Sequence, residues 1–120
     1  MSEYAEKIRE VIETEPVALF MKGTLEMPAC GNSLRALEAL RRVGAPVTGV
    51  DILPDPEIRE DLSQISGWPT IPQVFIQGEL VGGADITEEL EASGELLHKL
   101  VYSLGPDFRA TREEKDVSVL

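Results

Sequence analysis

The order of hydrophobic periods along this chain predicts an α/β domain, with a four-stranded mixed sheet covered by helices on both faces. Three observations carry that prediction. Short apolar runs of strand length alternate with stretches whose apolar residues recur at helical spacing. The first two strands are separated by a helix-length segment, which implies parallel pairing with a right-handed crossover. The last two are separated only by Gln77-Gly78, a tight hairpin that makes them antiparallel.

Tyr4, Ile8, Val11 and Ile12 recur at helical spacing among Glu and Lys, which predicts an amphipathic helix over roughly 3–14. Pro16 ends it, and the uniformly apolar Val17–Met21 follows as a buried strand. Lys22–Ala29 is a loop punctuated by Gly23 and Pro28. A helix runs from Cys30 to Val43 with Leu34, Leu37 and Leu40 on one face and Gly44 at its C-terminal cap. Pro46–Ile52 is the second strand. Asp55-Pro56-Glu57 opens the next helix, since proline suits the first turn and acidic residues suit its dipole. That helix turns Ile58, Leu62 and Ile65 inward and ends at Gly67. Val74–Ile76 and Leu80–Val81 form the hairpin. Asp85-Ile86-Thr87-Glu88 reads as a capped helix start, and Glu95–Leu104 is the last amphipathic segment. From Pro106 the composition turns polar and charged, so one domain is placed at 1–105 and a loosely ordered tail at 106–120.

At 42% hydrophobic content the chain can bury a single core. No apolar run approaches the ~20 residues needed to span a bilayer. Met1-Ser2-Glu3-Tyr4 lacks the basic and apolar regions of a secretory signal, and a lone cysteine fits a reducing compartment, so a cytoplasmic location is expected. The net charge of −11 repels phosphate backbones and anionic lipid, which makes nucleic acid and membranes poor partners.

The chemistry centres on Cys30. It opens a helix after a loop, where free N–H groups and the positive end of the helix dipole favour thiolate. A partner cysteine three residues on would make a redox couple, but Ser33 stands there, so Cys30 must work with a second molecule. Two other pieces converge with it. Thr70-Ile71-Pro72 precedes the third strand, and the Ile-Pro bond is a candidate cis peptide. It would leave the main-chain groups of Ile71 free for an extended ligand. Gly82-Gly83-Ala84-Asp85 follows the hairpin, where glycines admit close approach and the next helix offers N–H groups to a carboxylate.

Taken in order, Phe20-Met21-Lys22-Gly23-Thr24, Pro28-Ala29-Cys30-Gly31, Trp68-Pro69-Thr70-Ile71-Pro72-Gln73 and Gly78-Glu79-Leu80-Val81-Gly82-Gly83 resemble the glutaredoxins of the thioredoxin-like fold. The likeness is specifically to the monothiol members, whose active site reads Cys-Gly-Phe-Ser and here reads Cys30-Gly31-Asn32-Ser33. The resemblance implies glutathione held beside Cys30 and a 2Fe-2S cluster bridging a homodimer, ligated by two Cys30 thiolates and two glutathiones. It further implies iron–sulfur acceptor proteins and a BolA-like protein as partners.

Carried over by position, Lys22 pairs with the glycyl carboxylate of glutathione and Arg59 assists. Ile71 makes the main-chain contact, Pro72 shapes its turn, and Gly83 admits the ligand. Ala84 offers its N–H to the γ-glutamyl carboxylate, and Asp85 meets the amino group. Three positions depart from the family: Asn32 replaces Phe, Ala84 replaces Cys or Ser, and Leu25 replaces Pro.

Simpler readings stand beside these. Arg59 follows Asp55 by four residues and can form a surface ion pair with it. Lys22 can be an ordinary solvated lysine, and Asp85 a helix cap paired with Glu88. Ser33 reads as a first-turn residue, His98 as structural or solvated, and Trp68 as packing at the turn. The leading function is an iron–sulfur carrier. The alternative is an enzyme, a glutathione-dependent thiol-disulfide oxidoreductase that removes glutathione from proteins through Cys30. A redox-inert adaptor is the third reading.

Overall fold

A computed structural model of the protein describes residues 3–111 and 113–120. Helix α1 (Tyr4–Thr14) leads into β1 (Val17–Met21), α2 (Gly31–Arg42), β2 (Val47–Asp51) and α3 (Pro56–Ser66). Then come β3 (Gln73–Ile76), β4 (Glu79–Gly82), α4 (Ala84–Ser93) and α5 (Glu95–Leu104). A short 3-10 turn (Phe108–Thr111) and strand β5 (Lys115–Asp116) complete the chain. Through Leu104 the element order is the one the sequence predicts.

The sheet runs β4-β3-β1-β2-β5. Strand β1 lies at its centre, parallel to β2 with Val17 opposite Val47, and antiparallel to β3 with Val17 opposite Ile76. All five of its residues are buried, because the pleat sends alternate side chains into two separate cores. Val17, Leu19 and Met21 pack with Leu37 and Leu40 of α2 and with Leu96 and Leu100 of α5. Ala18 and Phe20 pack with Ile8 and Ile12 of α1 and with Ile58 and Leu62 of α3. Phe20 meets Phe75 of β3 edge to face, ring centroids 5.6 Å apart. Leu34 leaves the predicted apolar face of α2 and is exposed.

One expectation is corrected: the sheet has five strands, not four. The extra strand comes from the segment that composition reads as a loose tail. There β5 pairs parallel to β2, with Gly49 opposite Asp116. Phe108 and Val119, only 4% and 2% exposed, enter the two cores. Arg109 donates to the Val43 carbonyl at 2.9 Å, and Lys115 pairs with Glu15 at 2.8 Å. A two-residue strand and two isolated apolar anchors leave no period to detect.

The same segment latches the loop ahead of Cys30. Leu25 turns inward over Gly49, where a Cβ would lie 2.8 Å from the Leu25 side chain, so only glycine fits beneath it. The Leu25 N–H donates to the Asp116 carboxylate at 3.1 Å. Proline at that position has no N–H to donate. The loop turns at Gly23, whose φ is +89° and whose added Cβ would sit 2.4 Å from the Met27 carbonyl. Gly23 N–H in turn donates to Asp51 at 3.0 Å.

Phe108→Ala is expected to lower the free energy of unfolding by about 3 kcal/mol, and Asp116→Ala by about 1 kcal/mol, in urea titrations. An unchanged midpoint for Phe108→Ala would remove the C-terminal segment from the cooperative core.

Candidate functional site

Cys30 is the N-cap of α2, with an extended backbone (φ −150°) and a half-buried thiol. Its carbonyl accepts the Leu34 N–H at 3.0 Å. The thiol titrates below its ordinary range, chiefly because the Ser33 main-chain N–H points at the sulfur. Partial burial opposes this, while the Asn32 N–H, the Lys22 charge and the Ser33 hydroxyl reinforce it. The helix start thus stabilises thiolate as the sequence position foretold.

Ser33 does more than its first-turn reading allowed. It is fully buried, and its Oγ accepts the Lys22 N–H at 3.0 Å, tying the first turn of α2 to the end of β1. Its spacing three residues past Cys30 was the available signal, since such positions share a helix face.

The proline turn and the glycine corner come together beside this thiol. The Ile71-Pro72 bond is cis, as read. Ile71 lies ahead of β3 and outside its ladder, and its main-chain groups have no partner among the described residues. Gly83 is the N-cap of α4, and no side chain caps the N–H groups that follow it. An added Cβ at Gly83 would stand 3.4 Å from the Pro72 carbonyl, so corner and turn are in contact.

Asn32, Ile71, Pro72, Gly83, Ala84 and Asp85 line one cleft of about 340 Å³, shared with Arg35 and Trp68. Lys22 and Arg59 line a second, of about 560 Å³, together with Ile52, Leu53 and Pro56. Cys30 itself lines neither. Its neighbours in the site, Lys22 and Asn32, each edge one of the two.

Several simple readings are decided here. Arg59 does not pair with Asp55, whose carboxylate instead accepts the Tyr4 hydroxyl at 2.6 Å and the Glu57 N–H at 2.9 Å. The Tyr4 hydrogen bond holds the Asp55 carboxyl below its usual range and, in return, pushes the phenol up to about 12. Lys22 and Arg59 make no ion pair among the described residues. Asp85 is not a helix cap, because α4 begins one residue earlier, at Ala84. Both Asp85 and Glu88 pair with Arg35 of α2, Asp85 at 2.7 Å. The sequence reading did not single out Arg35, and its one local signal is Asn32 three residues back on the same face. His98 is exposed. No group of three metal-ligating side chains occurs among the described residues.

A sequence profile of the glutaredoxin family matches residues 17–81. The chain belongs to the glutaredoxin family. It is 49% identical to a probable monothiol glutaredoxin 2 of Rickettsia typhi, over 74% of this chain and 80% of that one. It is 46% identical to glutaredoxin 4 of Escherichia coli K12, over 80% of this chain and 84% of that one. Among solved structures, reduced poplar apo GrxS14 aligns with a TM-score of 0.74 at 39% identity, covering 82% of this chain and 91% of that one. A buckwheat glutaredoxin–glutathione complex aligns with a TM-score of 0.73 at 25% identity, covering 83% and 89%. With one cysteine, this glutaredoxin is a monothiol member, and its fold is thioredoxin-like. Among the described residues, no helix of this glutaredoxin is long and apolar enough to cross a membrane.

Alkylation of Cys30 by iodoacetamide, followed against pH, is expected to titrate below the ~8.5 of an unperturbed thiol. A lowered pKa keeps the thiolate populated as pH falls, so the rate at neutral pH exceeds that of a free cysteine peptide. Lys22→Met deletes an opposing charge and is expected to move the midpoint upward. A wild-type midpoint at or above the free value would contradict the geometry.

Proposed function

We propose that this glutaredoxin binds glutathione beside Cys30 and, as a pair of chains, carries a 2Fe-2S cluster as cargo to iron–sulfur acceptor proteins. The observation that carries the reading is a single stabilised thiolate flanked by two clefts, one bearing uncommitted cations and one bearing unpaired main-chain groups. A glutathione complex of a glutaredoxin with the same fold supports the first half.

In this reading Lys22 and Arg59 take the glycyl carboxylate, and the main chain of Ile71, turned by Pro72, pairs with the cysteinyl unit of the tripeptide. Gly83 lets the ligand approach α4, where the Ala84 N–H meets the γ-glutamyl carboxylate and Asp85 the ammonium. Against a net charge of −11, these local cations and the two helix starts provide the positive potential that an anionic tripeptide requires.

Donor counting supports the second half. A 2Fe-2S centre takes four thiolates or equivalents, while one chain offers Cys30 alone and no ligating cluster among its described residues. Two chains and two glutathiones complete the set. Ligands that are themselves diffusible suit release of the cargo. Met27 and Leu34, exposed at 75% and 40%, flank Cys30 in sequence and give its rim an apolar surface for a second copy or a BolA-like protein. The setting in which this would operate is the reducing cytoplasm.

The depressed thiol pKa favours one further reading, glutathione-dependent thiol-disulfide exchange. Cys30 thiolate would attack the glutathione sulfur of a glutathionylated protein, releasing the protein thiolate and leaving Cys30 in a mixed disulfide with glutathione. A second glutathione thiolate would then attack that mixed disulfide, freeing Cys30 and forming glutathione disulfide.

Anaerobic incubation with iron, sulfide and glutathione is expected to yield visible cluster absorbance and a dimer on gel filtration, both abolished by Cys30→Ser. Fast Cys30-dependent turnover of a glutathionylated peptide with no cluster retained would establish the enzyme reading instead.

A further inference from the structure

Arg35 occupies the wall of the cleft that holds Ile71, Gly83 and Asp85. A guanidinium has five N–H donors in a fixed planar fork. Here Nε and Nη2 donate to Glu88, Nη2 also to Asp85 at 2.7 Å, and Nη1 to the side-chain Oδ1 of Asn32 at 3.0 Å. Four of the five donors are therefore placed by protein, and one N–H of Nη1 is left over. The side chain is 41% exposed, so that donor can reach a ligand. Asn32 and Glu88 hold the fork from two helices, which fixes its direction.

Two neighbours complete the wall. The first N–H groups of α4 lack any side-chain cap. Asp85 gives only Oδ1 to Arg35, and its Oδ2 has no partner among the described residues. Cationic N–H, main-chain N–H and a free carboxylate oxygen together complement an α-amino acid end group, with its carboxylate and ammonium on one carbon. The two halves are not read equally. Asp85 and Glu88 together outweigh the single charge of Arg35, so a carboxylate is favoured by directed donors rather than by net charge. The remaining Nη1 N–H and the uncapped main-chain N–H groups of α4 serve it, while Arg35 already occupies one of the two Asp85 oxygens that an ammonium would use.

We propose that Arg35, aimed by Asn32 and Glu88, is a specificity-determining residue that recognises the free α-carboxylate at the γ-glutamyl end of the thiol ligand. This rests on reading the cleft as the tripeptide site. It gives Asn32 a function of its own, since a phenylalanine there has no acceptor for Nη1.

The test is calorimetric titration of the full chain at low salt with S-methylglutathione, which carries no reactive thiol. Two analogues accompany it, one lacking the γ-glutamyl α-carboxylate and one lacking the α-amino group. Wild type is expected to bind the decarboxylated analogue more weakly than the deaminated one. Arg35→Met should weaken S-methylglutathione by about tenfold while leaving the decarboxylated analogue within about twofold, so that discrimination falls by about tenfold. Asn32→Ala keeps the charge but not its aim, and should weaken only the two carboxylate-bearing ligands, by a smaller factor. Undiminished discrimination in Arg35→Met overturns the proposal. If that variant does not fold, Asn32→Ala decides, and an equal loss for all three ligands overturns it. Wild type binding none of the three would defeat the tripeptide reading and this inference together. Binding all three without preference for the carboxylate would defeat the inference alone.

Discussion

The hydrogen bond from the Lys22 N–H to Ser33 Oγ joins the end of the central strand to the first turn of α2, and the site depends on that junction. The Ser33 side chain is fully buried, so losing the bond would strand its hydroxyl away from water at a cost of about 1–3 kcal/mol. With the helix start held in this place, the Asn32 and Ser33 N–H groups aim at the sulfur of Cys30. The strand end also carries Lys22 into the neighbouring cleft. Thiolate stability and the placement of the Lys22 charge therefore share one anchor.

Around that anchor the electrostatics are local rather than global. The chain carries 22 acidic and 11 basic residues, and several of the basic ones are spent on ion pairs that link elements. Arg41 holds Glu114, Arg42 holds Glu91, and Lys115 holds Glu15. Such exposed pairs contribute about 0–1 kcal/mol each, so their value is in arrangement more than in stability. What distinguishes Lys22 and Arg59 is that they face a cleft without such a commitment.

Two of the three departures from the family pattern answer to a contact elsewhere in the molecule. Leu25 in place of proline supplies a buried side chain over Gly49 and an N–H for Asp116. That ties the loop before Cys30 to the C-terminal strand, which lies outside the family-matched stretch of 17–81. Asn32 in place of phenylalanine accepts from Arg35, which in turn reaches Asp85 and Glu88. For Ala84 in place of cysteine or serine the structure shows only that its N–H belongs to the uncapped start of α4.

Much of this was legible in the chain itself. Val17–Met21 and Glu95–Leu104 were read with the bounds they have, and Gln77-Gly78 turns the hairpin with both residues at positive φ. Cys30 at a helix start and the Ile71-Pro72 turn were also visible, because period, proline and glycine act on their immediate neighbours. What the chain did not disclose are partners set by the folded backbone: Leu25 with Asp116 across 91 residues, Arg35 with Asp85 across 50, and β5 beside β2. In a sequence with this many carboxylates, each arginine has many equivalent candidates. Only the sheet order and the packing of α2 against α4 choose among them, since a hydrogen bond acts over about 3 Å of space whatever the separation along the chain.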